Sequence, residues 1–152
     1  MIYIFTGNNQ LQIQEESKKW RDKFVSTYGD FNFFHIKDIK SLSRDYLSEM
    51  LLSASFFSDK KFILIENYPF WAKEKNQEET ETQELQKQDK NQEIDEFFLD
   101  NFSKFPQEII ILLISTSPDK RTKLYKELIG ISELREFNFE NDNFLWKFWE
   151  II

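Results

Sequence analysis

The chain has few of the residues from which small reactive or metal-binding sites are built. It contains no cysteine and only one histidine, His35, among 152 residues. The lack of cysteine excludes disulfide frameworks, thiolate zinc sites and thiol nucleophiles. A single histidine excludes metal sites that need two or three imidazoles. Since His35 lies in the strand-like segment "FNFFHIKD", we interpret it as a strand-end side chain at a polar edge.

Glycine is also scarce, and the three glycines, Gly7, Gly29 and Gly130, lie far apart. The patterns G-x-x-x-x-G-K-[ST] and G-x-G-x-x-G need closely spaced glycines, because the backbone must approach a phosphate through turns that a side chain hinders. The sequence therefore has neither a standard P-loop nor a dinucleotide-binding fingerprint. We expect no cofactor and no bound metal.

Long apolar runs and excess positive charge are absent as well. No segment approaches the roughly 20 apolar residues of a membrane helix. The first residues, "MIYIFTGNNQ", lack the basic start and the cleavage site of a signal peptide. The formal net charge of −7 argues against a basic nucleic-acid surface. We expect a cytoplasmic protein that contacts other proteins, contacts DNA only indirectly, and has no membrane partner.

The residues that are present indicate a globular α/β domain. The chain is 40% hydrophobic and 17% aromatic, and apolar strand-like runs alternate with amphipathic helical segments. We predict strands at residues 2–5, 31–36, 62–66, 108–115 and 134–139, and helices at 9–28, 43–54 and 117–130. This alternation predicts a three-layer sandwich around a mostly parallel, five-stranded sheet.

Helix boundaries are predicted from capping residues. Asn9 and Ser43 are expected to cap the first two helices. For the last helix we predict Ser117 as the N-cap, Pro118 at the first position and Gly130 at the end. The predicted buried positions are Ile13, Trp20 and Phe24, helped by Leu11 and Tyr28, in the first helix, Leu47, Met50, Leu51 and Ala54 in the second, and Leu124, Tyr125 and Leu128 in the last.

Two segments depart from the alternating pattern. Residues 73–93, "KEKNQEETETQELQKQDKNQE", contain a single aliphatic residue, and we interpret them as a polar, mobile or solvated insertion. The final residues, "NFLWKFWEII", carry a wide apolar helical face that needs cover. This face could pack back on the sheet or belong to a second domain. We favour the second interpretation and divide the chain into a domain of residues 1–140 and a segment, 141–152, that begins a linker or second-domain helix.

Four segments together resemble the N-terminal domain of the delta subunit of the bacterial DNA polymerase III clamp loader. They are "IYIFTGNNQLQIQEE", "SASFFSDKKFILIEN", "EIIILLISTSPDKRTKLYKEL" and "FNFENDNFLWKFWEII", in the order found in that family. The resemblance implies an AAA+-like fold without a P-loop, in agreement with the glycine count. It also implies a non-catalytic subunit that works with the sliding clamp (beta subunit) and with other clamp-loader subunits.

The resemblance implies a specific binding segment. In that family a hinge after the second helix inserts two hydrophobic residues into a pocket on the clamp and helps the ring to open. The matching positions here are Ala54, Ser55, Phe56 and Phe57. Judged from the residues alone, the two phenylalanines would be assigned to the core. The resemblance implies that at least one of them is exposed.

A basic cluster, Lys120, Arg121 and Lys123 together with Lys126, leaves two interpretations open. It could contact DNA or a neighbouring subunit, or it could be an ordinary solvated helix face.

Two other functions remain open on the sequence. One is a small Rossmann-like enzyme that uses a nucleotide or another cofactor. Its site would lie at the carboxyl ends of the strands, near Thr6, Asn8, Glu66, Asn67 and residues 115–117. The missing glycines and the single histidine argue against it. The other is a degenerate domain that forms a dimer through its C-terminal apolar face.

Overall fold

The computed structural model describes residues 1–53, 60–70 and 92–139. Five strands are present there: β1 (Ile2–Thr6), β2 (Phe33–Ile36), β3 (Lys61–Ile65), β4 (Ile109–Ile114) and β5 (Glu133–Glu136). The helices are α1 (Gln10–Tyr28), α2 (Arg44–Leu52), α3 (residues 92–101) and α4 (Lys123–Ile131). Short 3-10 turns occur at Ile39–Ser41 and Phe102–Lys104.

The strands form one sheet in the order β2-β3-β4-β1-β5, and every neighbouring pair is parallel. Every residue of β1, β3 and β4 is buried. This agrees with the unbroken apolar runs, since central parallel strands are covered on both faces. The predicted α/β class and five-stranded parallel sheet are confirmed.

Helices cover both faces of the sheet, which gives the predicted three layers. On one face α1 packs on an aromatic surface, where the Trp20 ring lies 4.9 Å from Tyr3 and 5.2 Å from Phe5. The opposite face is mainly aliphatic and packs against three helices. Its core includes Ile4, Ile63, Ile65, Ile111 and Leu113 from the strands, Leu47 and Leu51 from α2, Phe97 and Phe98 from α3, and Leu124 and Leu128 from α4.

The first two helix caps were predicted correctly. The Asn9 side chain accepts a hydrogen bond from the Gln12 amide at 3.1 Å, and the Ser43 hydroxyl accepts one from the Tyr46 amide at 3.2 Å. The predicted buried positions of α1, α2 and α4 are also buried, apart from Tyr28, which is partly buried, and Leu11, for which the prediction was wrong because its side chain is 65% exposed. Ala54 lies outside the described residues.

The predicted start and end of α4 were wrong. Thr122, not Ser117, caps the helix and accepts a hydrogen bond from the Tyr125 amide at 3.3 Å. Residues 119–122 form a turn instead, because the Asp119 carboxylate binds the Arg121 amide at 3.0 Å. At the other end the helix continues past Gly130 to Ile131.

The two edge strands are shorter than predicted. β2 begins at Phe33 because its amide bonds to the Asp30 carbonyl at 3.1 Å, which forms a turn before the strand. β5 ends at Glu136 because residues 137–139 leave the sheet to contact the loop after β1. The predicted insertion, 73–93, lies outside the described residues except for 92 and 93, and all of 141–152 lies outside them. Both assignments stay predictions.

Candidate functional site

The C-terminal end of α2 leads directly to the segment predicted to bind the clamp. Three buried side chains, Leu47, Met50 and Leu51, attach α2 to the aliphatic face of the sheet. The last backbone bond joins the Ser53 amide to the Glu49 carbonyl at 3.1 Å. The predicted clamp-binding residues, Ala54, Ser55, Phe56 and Phe57, lie outside the described residues. Their exposure therefore stays a prediction.

Lys61 holds this end of α2, and we had not predicted its role. Its side chain is buried, with a relative exposure of 4%, although it carries an ammonium group. The Nζ atom donates to the Met50 carbonyl oxygen and to the Ser53 hydroxyl, the latter at 3.0 Å. It also lies 5.2 Å from the centre of the Phe34 ring. A sequence signal existed, because in β3 Lys61 shares the inward parity of Ile63.

The surroundings of Lys61 act on the pKa of its ammonium group in two opposing ways. Burial lowers the pKa of the Lys61 ammonium, and the nearby Glu49 carboxylate opposes that change. Its two hydrogen-bond acceptors and the C-terminal end of α2 also favour the charged form.

At the opposite, carboxyl edge of the sheet, the chain itself fills the space after β1. Gly7 has φ +124°, and a Cβ atom there would lie 2.1 Å from the Phe137 carbonyl oxygen. The same oxygen accepts a hydrogen bond from the Asn9 amide at 2.9 Å. The Phe137 amide in turn donates to the Thr6 carbonyl at 2.8 Å. Gly7 is thus required by close contact between two backbone segments.

Two asparagines complete this contact. The Asn8 amide donates to Asn138 Oδ1, and the Phe139 amide donates to Asn8 Oδ1, both at 3.1 Å. A phosphate bound at a helix N-terminus uses backbone N–H groups of this loop and of the first helical turn. Here the amides of Asn8, Asn9 and Gln12 already have acceptors within the protein. The loop therefore offers few free donors to a phosphate.

Glu66 and Ser115 of the possible enzyme site also have partners within the protein. Glu66 Oε1 lies 2.9 Å from His35 Nε2, at the ends of β3 and β2. His35 is thus a strand-end residue with a polar partner, as expected. Ser115 is buried, and its amide donates to the Phe5 carbonyl at 2.9 Å. Asn67 has φ 52° in the turn after β3.

No metal site is found within residues 1–53, 60–70 and 92–139, where no group of three or more His, Cys, Asp or Glu side chains could hold an ion.

The carboxyl end of β3 is also tied to α3. The buried Tyr68 hydroxyl donates to Asp95 Oδ1 at 2.8 Å, and the Tyr68 amide donates to the Ile114 carbonyl at 2.8 Å. Burial, followed by the charge of Asp95, raises the pKa of Tyr68 well above its ordinary value. The segment after β3 therefore lies across the end of β4 and contributes to closing this edge.

Three cations of the predicted basic cluster have a carboxylate nearby. Arg121 binds Asp119 at 2.9 Å, Lys120 lies 3.7 Å from Glu136, and Lys123 lies 3.9 Å from Glu127. Hydrogen bonds from the Arg121 side chain and amide lower the pKa of Asp119 to about 2. Because these carboxylates balance the positive charges, the cluster is more typical of a solvated, ion-paired surface. A contact with DNA or with another subunit stays a prediction.

An open cavity of about 530 Å³ lies at the amino edge of the sheet, near the starts of β1 and β4. Its lining includes Met1, Phe102, Phe105 and Ile131 and contains no ionisable side chain. The cavity is therefore suited mainly to apolar contact.

Comparisons with known proteins identify the family. The family model for "DNA polymerase III, delta subunit" matches residues 3–136. Among solved structures, the DNA clamp loader delta protein of Bacillus subtilis matches with a TM-score of 0.63 and 19% sequence identity. The match covers 90% of this chain and 38% of that protein, and at this identity it shows the fold alone, which agrees with the predicted α/β class.

No curated protein sequence gave a significant match. Within the described residues no helix is both long enough and apolar enough to cross a membrane. The family match extends over most of the chain, from β1 to β5. The chain belongs to the DNA polymerase III delta subunit family.

Proposed function

We propose that this chain binds the sliding clamp of a bacterial clamp loader through Phe56 and Phe57, with Ala54 and Ser55 beside them. The observation that carries the proposal is the position of this segment. It follows directly on α2, a helix that is capped by Ser43 and buried along one side. Residues attached to a fixed helix lose less freedom on binding than residues of a free loop.

The binding free energy expected from this contact is sufficient for a specific interface. Burying one phenylalanine side chain contributes about 1.5–3 kcal/mol. Two such rings, with modest support from the surrounding contacts, can provide the roughly 8 kcal/mol of a micromolar complex. The pair would then be the hot spot of the interface.

The proposed role is mechanical and involves no catalysis by this chain. If the segment binds the opened or relaxed ring more tightly than the closed ring, binding shifts the clamp towards opening. Other clamp-loader subunits are proposed as further partners, and contact with DNA is proposed to be indirect. Such a role places the protein in the cytoplasm.

The bonds at the carboxyl edge weigh against the alternative enzyme. The loop after β1 and residues 137–139 bind each other there, and Glu66 is paired with His35. We expect no thermal shift with ATP, NAD or S-adenosylmethionine. A shift of several degrees with any of them would favour the enzyme.

Surface plasmon resonance with the sliding clamp of the same organism tests the proposal. Changing Phe56→Ala and Phe57→Ala together should weaken binding about 100-fold or more, because both anchors are lost. Phe139→Ala is the matched control, since Phe139 is 69% exposed at the opposite edge of the sheet. Unchanged affinity in the double variant, or an equal loss in the control, would contradict the proposal.

A further inference from the structure

Lys61 occupies a position that packing alone would give to an apolar residue. It begins β3 and has the same parity as Ile63 and Ile65, which belong to the aliphatic core. Lysine is almost never fully buried without a partner, and removing an ammonium from water is costly. The bonds that Lys61 makes must therefore offset a substantial penalty.

Those bonds all stabilise the end of α2. Met50 belongs to the last turn of the helix, where carbonyl groups lack partners within the helix. The Lys61 ammonium binds the Met50 carbonyl and the hydroxyl of Ser53, the residue that ends the helix. A cation is also favoured there by the helix dipole, and the face of the Phe34 ring lies 5.2 Å away.

Lys61 therefore links the two ends of the connection between α2 and β3. Ser53 is the last described residue before that connection, and Lys61 is the first residue of the following strand. One side chain thus joins the point where the chain leaves α2 to the point where it enters the sheet. Closing a short segment in this way reduces the number of arrangements open to its ends.

We propose that Lys61 is a positioning residue for clamp binding, because it holds Met50 and Ser53 at the end of α2, from which the chain continues to the proposed clamp-binding residues. This inference rests on the proposed clamp-binding function. Without the ammonium, the last turn of α2 would loosen, and its ordering would have to accompany docking.

The test combines clamp binding with amide hydrogen exchange. Lys61→Met keeps the length and apolar character of the side chain, so the thermal midpoint should change little. Clamp affinity should fall about 10-fold, and the Ser53 amide should exchange faster. Lys61→Arg keeps the charge and should restore at least part of the affinity. Lys18→Met, on the exposed side of α1, removes the same charge and should bind like the wild type.

A double-mutant cycle shows whether Lys61 acts through the phenylalanines. Lys61→Met should weaken binding much less in a Phe57→Ala background than in the wild type, since both changes affect one contact. If Lys61→Met does not fold, Ser53→Ala removes one acceptor of the ammonium and should give a smaller loss of the same kind. Fully additive losses would overturn the inference.

The remaining outcomes separate the two proposals. If the double phenylalanine variant binds the clamp like the wild type, the proposed function fails. If that variant loses binding while Lys61→Met binds normally, only the role of Lys61 is overturned. The role of Lys61 is also overturned if Lys18→Met weakens binding as much as Lys61→Met, because the effect would then be one of net charge.

Discussion

The two edges of the sheet use polar groups in opposite ways. At the carboxyl edge, backbone donors after β1 bind residues 137–139, and Gly7 allows the two segments to touch. At the amino edge, a buried ammonium on Lys61 holds the end of α2. The difference shows that one α/β scaffold can close its carboxyl edge with its own backbone while a buried ammonium fixes a helix end at the other edge.

The substitution that should disrupt the backbone contact at the carboxyl edge most strongly is Gly7→Ala. The added Cβ atom would overlap the Phe137 carbonyl, and φ +124° is unfavourable for alanine. We expect a loss of about 3 kcal/mol or more in the free energy of unfolding, measured with urea. Gly130→Ala is the matched control. It has no atom within 4 Å of the new Cβ and lies in α4, so it should be neutral or stabilise by up to about 1 kcal/mol. Equal effects of the two changes would contradict the close contact at Gly7.

A second large effect is expected from Tyr68→Phe. The change removes the bond to Asp95 at 2.8 Å and leaves a carboxylate without that donor, at a cost of about 1–3 kcal/mol. Tyr46→Phe, on an exposed tyrosine, should change stability little.

The ionisation of Tyr68 should also make the free energy of unfolding depend on pH. The folded state keeps Tyr68 protonated, whereas the unfolded chain ionises near the ordinary value of 10.0. Since the folded state then binds more protons, stability should fall as the pH rises above 10, and Tyr68→Phe should reduce this fall. Urea unfolding at several alkaline pH values measures it. An equal fall in both proteins would show that other groups cause it.

A smaller effect is expected from Asn138→Ala, which removes the acceptor of the Asn8 amide. The free energy of unfolding should decrease by about 0.5–1.5 kcal/mol. Asn138→Asp keeps an acceptor oxygen and places a negative charge near the start of α1, so it should be neutral or slightly stabilising. Thermal unfolding of the pair measures the contribution of this bond. If both variants lose the same stability, the bond does not contribute as proposed.

The smallest effect concerns the basic cluster beside the closed edge. Because hydrogen bonds from Arg121 lower the pKa of Asp119 to about 2, the carboxyl signal should titrate near that pH in an NMR experiment. Its contribution to stability should be present above the ordinary pKa of 3.8 and be lost as the pH falls towards 2. Arg121→Gln should move the titration towards 3.8. A midpoint that stays unchanged would exclude Arg121 as the cause.

The sequence was sufficient for the parts of the fold that local patterns determine. Long apolar runs identified β1 and β4, and Asn9 and Ser43 identified the starts of two helices. The start of α4 could not be chosen in the same way, because Ser117 and Thr122 are both suitable caps. The choice depends on the bonds between Asp119 and Arg121.

The features of the candidate site that we missed depend on distant contacts. Asn8 and Asn138 are 130 residues apart, and nothing in either local sequence indicates their pairing. Lys61 was passed over because its role requires both the exact start of β3 and the position of the α2 end above it. The clamp-binding segment itself came from the family resemblance, since the residues alone favoured core phenylalanines.

The most direct test of the comparison between the two edges is an NMR titration of the labelled chain with the sliding clamp. We predict that amide signals from the last turn of α2 and from Lys60 and Lys61 shift or broaden first, whereas those of Asn8 and Asn138 stay unchanged. Changes confined to Asn8 and Asn138, with the end of α2 unaffected, would contradict the proposed site.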